Sequence, residues 1–169
     1  MTFELKLTNA ETYIKSLLFI AANIALPHLF HLIPGGGIMF LPIYFFTMCG
    51  TLCYGWRVGL LTALFSPLIG NLLFGAPAAP MLPDMALKGV SLVVAASLLM
   101  KKNQRFPILN PLVAVVAAWA VVGVIETPFT GASYAFQDFS TGLPGMALMT
   151  LGGMAALKLR NLHTKNIHI

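Results

Sequence analysis

The sequence predicts an all-α membrane protein: one domain, residues 1–169, forming a compact bundle of six transmembrane helices with both termini cytoplasmic. Three observations predict it. Hydrophobic residues make up 58% of the chain and charged residues only 9%, at a mean hydropathy of +0.85, which no ordinary soluble domain has. A length of 169 residues accommodates about six spans of roughly 20 residues each. Finally, of the ten Lys and Arg residues, all but Lys88 fall where a six-pass protein places its cytoplasmic face.

The apolar runs cover residues 13–33, 38–54, 58–74, 83–100, 107–125 and 143–159. Backbone polar groups in lipid must be satisfied within the chain, so each run reads as a helix. Ahead of the first, the polar N-terminus carries Glu4 and Glu11 and does not read as a cleavable signal peptide. The first span ends near Pro27, which is expected to stop or kink it. Lys6 and Lys15 flank its start, Arg57 sits in the second-to-third link, and Lys101, Lys102 and Arg105 fill the fourth-to-fifth link. Lys158, Arg160 and Lys165 follow the sixth span. The opposite links, at residues 34–37, 75–82 and 126–142, contain no Lys or Arg. Five or seven spans would scatter the cations over both faces. The net charge of +5 therefore reflects membrane orientation, not a nucleic-acid partner.

The outer links are longer than the cytoplasmic ones and rich in Pro, Gly and aromatic residues. Gly35, Gly36 and Gly37 permit backbone conformations closed to other residues, suited to a mobile lid or simply to a tight turn. Asp84, Glu126, Asp138, His28, His31, Tyr134 and Gln137 all belong to this side. A polar, aromatic mouth over an apolar bundle is what a small-molecule pocket requires.

Lys88 is the exception among the cations. At 1.5 Å per residue it lies about 20 Å from the cytoplasmic boundary, roughly 10 Å below the outer one. A charge there is costly unless solvated or paired, which makes it a functional candidate. Asp84, Lys88 and Ser91 share one helix face, as do Trp119, Gly123 and Glu126 on the fifth span. If the faces meet, Lys88 pairs with Asp84 or Glu126, or meets an anionic ligand; the plainer reading is an ion pair that pins two helices. The candidate substrate-binding set is Lys88, Asp84, Glu126, Trp119, His31, Tyr134, Gln137 and Asn71.

Other constellations carry less. Cys49 and Cys53 are one helical turn apart, but two thiols make a poor metal site and read as buried free thiols. His28 and His31 read as interfacial polar residues. No metal or cofactor is expected. There is no G-x-x-x-x-G-K-S/T, H-E-x-x-H or G-x-S-x-G, so the chain has neither its own P-loop nor a recognisable catalytic site. Small residues at Ala21, Ala22 and Ala25, and at Gly55, Gly59 and Ala63, form stripes that let helix backbones approach closely.

Several segments carry a resemblance. Phe40-Leu41-Pro42, Cys49-Gly50, Tyr54-Gly55, Gly59-Leu60-Leu61-Thr62 and Ser66-Pro67-Leu68 resemble the second and third spans of S components of energy-coupling factor (ECF) transporters. Gly75-Ala76-Pro77 and Pro80-Met81-Leu82-Pro83 resemble the G-M-P…P-M-L-P lead into their fourth span. Ala21-x-x-x-Ala25 before Leu26-Pro27-His28 is similar to the A-x-x-x-A signature of their first. The resemblance covers residues 15–100; the last two spans match mainly in length and hydrophobicity.

The resemblance implies a subunit of the prokaryotic cytoplasmic membrane that captures a vitamin or related micronutrient from outside. Such subunits dock through their first three spans onto a transmembrane T subunit bearing two ATP-binding subunits, which supply the ATPase activity. Ligand contacts come from the first outer loop, spans four to six and their outer links. Members often carry Glu where Lys88 stands, in the pattern P-x-M-x-x-E-L; here the run is Pro83-Asp84-Met85-Ala86-Leu87-Lys88-Gly89. That exchange predicts a ligand bearing a carboxylate or phosphate, with Trp119, Tyr134 or Phe136 over its apolar part. The absence of an N-terminal Met-x-His argues against the nickel and cobalt branch. A stand-alone small-solute carrier and a membrane enzyme or assembly factor remain the alternatives, although the nearly apolar inner halves of the spans disfavour a pore.

Overall fold

The first helix is capped by Asn9, whose side-chain oxygen accepts the Glu11 N–H at 3.0 Å, satisfying a donor that has no partner inside the helix. The computed structural model describes residues 5–30, 42–102 and 107–167. These form seven helices: α1 (Ala10–Phe30), α2 (Phe45–Tyr54), α3 (Trp56–Phe74), α4 (Leu82–Lys102), α5 (Asn110–Thr130), α6 (Ala132–Thr141) and α7 (Leu143–Ile167). Short 3₁₀ turns lead into α2, α4 and α5. No strand occurs among the described residues. Three stretches, Trp56–Phe74, Ala79–Lys102 and Pro107–Thr130, are long and apolar enough to cross a membrane. A fourth exists if α6 and α7, bent by 52° at their junction, count as one broken span. The described residues are thus all-helical, with three or four helices long and apolar enough to cross a membrane.

Two expectations change. α1 runs through Pro27 to Phe30, where the described residues stop; proline forfeits one backbone hydrogen bond there without stopping the helix at once. The link at residues 126–142 is helical, not a loop. α5 continues to Thr130, Gly131 turns the chain at φ 87°, and α6 follows at once. A side chain at 131 would strain that backbone. The Gly35–Gly37 run lies outside the described residues.

α2 and α3 form a hairpin whose joint is a single residue, Gly55, at φ 97°. The two helices nest because Gly59 lies against Thr51: a β-carbon there would collide with the Thr51 hydroxyl. α1 is tied to both by Asn23, which is fully buried. Its amide nitrogen donates to Thr47 Oγ1 at 3.0 Å and Ser66 Oγ at 3.2 Å, and its oxygen accepts the Phe46 N–H at 3.1 Å. Phe46 is in the first turn of α2, where backbone N–H groups lack helical acceptors. The small-residue stripe of α1 does not pack inside the chain: Ala21 and Ala25 are exposed and Ala22 is half-buried.

The main core lies between α2, α4, α5 and α7. Met48 and Leu52 meet Leu92 and Ala96, Ala114 and Ala118, and Met149 and Leu157, all at most 2% exposed. At one end of the bundle Arg160 donates to the Leu52 carbonyl at 2.6 Å and Arg57 donates to that of Leu5 at 3.4 Å. The acidic residues of α4, α5 and α6 gather at the other end.

Candidate functional site at the acidic end of the bundle

The i, i+4 spacing of Asp84 and Lys88 makes an ion pair within α4, with Lys88 Nζ 2.8 Å from Asp84 Oδ2. Asp84 occupies the first turn of α4, where the exposed N–H groups favour a negative charge. The turn at Gly131 directs α6 back along α5, bringing Ala135 against Gly123. Asp138, on the next turn of α6, then reaches Lys88, with Oδ1 3.0 Å from Nζ. The Lys88 side chain is only 4% exposed, so its charge depends on these two carboxylates.

Glu126, near the end of α5, faces the same group of charges. Asp84 Oδ1 is buried and accepts no hydrogen bond among the described residues. Beneath the acids lies Tyr44, whose hydroxyl donates to the Met85 carbonyl at 3.3 Å. Its ring meets Trp119 edge-on at a centroid separation of 5.6 Å. Trp119 is 3% exposed, and its Nε1–H finds no acceptor among the described residues.

Lys88, Asp84, Glu126 and Trp119 are therefore gathered at one end of the bundle. Tyr134 lies on the Asp138 face of α6, one turn earlier, and is half exposed; Gln137 is exposed. Asn71 is occupied elsewhere: its amide donates to the Pro77 carbonyl at 2.7 Å and folds the α3–α4 link onto the end of α3. His31 lies outside the described residues. Two of the three donors of the Lys88 ammonium group face Asp84 and Asp138, which leaves one donor for the expected contact with an anionic ligand. Trp119 belongs to the core, and Phe136 is 74% exposed.

The sequence reading omitted Asp138 and Tyr44 from the site. Asp138 was visible as an acid in the link, but only a helix running back along α5 takes it to Lys88. Tyr44 had no signal beyond an aromatic ring near the start of a span. Among the described residues no group of three His, Cys, Asp or Glu side chains has the geometry to hold a metal ion. Cys49 and Cys53 are free thiols.

Comparison with known proteins returned no match to a protein family, to a curated protein or to a solved structure.

Proposed function

We propose that this chain is the membrane-embedded substrate-capture subunit of an ECF-type transporter, an S component. In this reading it has six spans and cytoplasmic termini, lies in a prokaryotic cytoplasmic membrane, and binds a vitamin or related micronutrient at its outer face. Import is driven by ATP hydrolysis in partner subunits. The observation that carries the reading is the charged cluster of Lys88, Asp84, Asp138 and Glu126 at one end of an otherwise apolar bundle. Buried charges at membrane depth are expensive and are kept where they serve a ligand or a pathway. The basic residues lie at the opposite end, as the positive-inside bias requires of a site on the outer face. Exposed Ala21 and Ala25 on α1 supply a small-residue surface on which a helix of a T subunit can pack.

The test is native mass spectrometry of the detergent-purified protein, before and after incubation with a vitamin panel. A stoichiometric adduct of vitamin size is expected. In cells, uptake of that compound should require co-expressed T and ATP-binding subunits. A protein that stays free of adducts through the whole panel overturns the reading.

A further inference from the structure

We infer that α6 is a lid over the acidic end of the bundle, hinged at Gly131 and held shut by the Lys88–Asp138 pair, and that its opening bares the Lys88 ammonium group to water.

The first ground is how little holds α6 in place. It is ten residues long, Ala132–Thr141, and none of them is buried. Helices shorter than about 12 residues are marginal in water unless tertiary packing supports them. α6 packs chiefly along α5, where Ala135 lies against Gly123, and Phe139 is its partly buried contact with the main core. Buried residues recur along α4, α5 and α7. Segments with few buried contacts open at lower free energy than the core around them.

The second ground is the joints. Gly131 connects α5 to α6 at φ 87°, and nothing lies within 4 Å of where a side chain there would begin. A glycine so placed absorbs backbone rotation that other residues resist. At the other end the axis bends by 52° between α6 and α7, so α6 is not the continuation of a straight span.

The third ground is the latch. Among the described residues, Asp138 supplies the one side-chain bond from α6 to another helix, with Oδ1 3.0 Å from Lys88 Nζ. The Ser140 hydroxyl turns back to the Gln137 carbonyl of α6 itself. The two partners differ in exposure: the Lys88 side chain is 4% exposed and that of Asp138 25%. Asp84 rides on the same helix as Lys88 and stays 2.8 Å from it. Opening α6 therefore forfeits one ion pair and strands no buried charge, because Asp138 moves into water and Lys88 keeps Asp84.

The experiment locks the lid. A β-carbon at position 123 would stand 3.9 Å from that of Ala135, within the span that a disulfide bridges. Gly123→Cys and Ala135→Cys are combined in the full chain, with Cys49→Ala and Cys53→Ala to remove its own thiols. The protein is placed in lipid nanodiscs and treated with sulfosuccinimidyl acetate, a water-soluble amine reagent. Peptide mass spectrometry follows acetylation of Lys88 against exposed Lys102 as internal reference. The reduced protein is expected to label at Lys88 and the oxidised one at least about tenfold more slowly, with Lys102 unchanged. Asp138→Asn in the unlocked chain should speed amide hydrogen exchange over residues 132–141 at least about tenfold while α5 and α7 exchange as before. That variant decides the point if the locked chain does not fold. Equal labelling of Lys88 in both redox states, no labelling in either, or exchange that rises alike in all three helices overturns the inference.

Discussion

Asn23 and Lys88 are both buried polar side chains that join helices, yet their surroundings differ in kind. Asn23 uses its two amide hydrogens on Thr47 and Ser66 and its oxygen on the Phe46 N–H. Every group in that network is neutral and partnered within the chain. Lys88 bonds to carboxylates from two helices, Asp84 on α4 and Asp138 on α6, and Asp84 Oδ1 is left without a partner among the described residues. The closed network locks α1, α2 and α3 together. The charged one ties α4 to α6 through a buried ammonium group. The difference teaches that satisfaction of polar groups, more than their presence, separates a structural joint from a site.

The contrast breaks most severely at Lys88. Lys88→Met strands two carboxylates, and loss of one partner from a buried pair costs about 3–5 kcal/mol. A large drop in thermal stability in detergent is expected, and adding Asp84→Asn with Asp138→Asn should restore most of it. If the single variant is as stable as the parent, the ion triad is not what holds α6 to α4.

At the closed network, Asn23→Leu leaves the Phe46 N–H buried without its acceptor, a loss of about 1–3 kcal/mol. Stability should fall while ligand affinity at the α4–α6 site stays unchanged, which calorimetric unfolding and a binding titration separate. A parallel loss of affinity would mean that the two regions act as one.

Gly59→Ala sets a methyl against the Thr51 hydroxyl and should cost about 1–3 kcal/mol through overpacking. Thr51→Ala in the same chain should recover part of it by removing the obstructing group. The two melting curves settle the point. The smallest effect on the fold belongs to Ala25→Phe, since an exposed position tolerates change within about 0.5 kcal/mol. The same variant should abolish uptake with partner subunits while leaving ligand binding intact. Unimpaired uptake would remove α1 from the docking surface.

Much of the helix plan was legible because apolar runs of about 20 residues in one chain have few alternatives. The Asp84–Lys88 pair follows from local spacing, and the structure agrees; the third run, expected from residue 58, begins at Trp56, because Gly55 alone makes the turn. Pro27 does not stop α1 at once, because proline leaves the turn that follows it free to continue the helix to Phe30. A polar residue near a span end serves equally to line a pocket or to hold a link, and the fold of residues 75–78 turns the Asn71 amide to the link. Asp138 stayed hidden for a related reason: the link at 126–142 is too polar to read as a span, while its helical state depends on packing against α5.

By itself, then, the sequence determined that the chain is helical, that its helices are apolar enough to span a membrane, and that one cation and its i, i+4 acid share a face of the fourth run. Hydropathy and helical periodicity act over neighbouring residues and need no partner to be read. The tertiary structure alone decided that Asp138 reaches across 50 residues to Lys88, that Glu126 faces the same charges, and that Trp119 Nε1 and Asp84 Oδ1 find no partner among the described residues. Those facts depend on where helix axes cross and how α6 turns at Gly131, and no local pattern encodes the distance between two side chains on different helices.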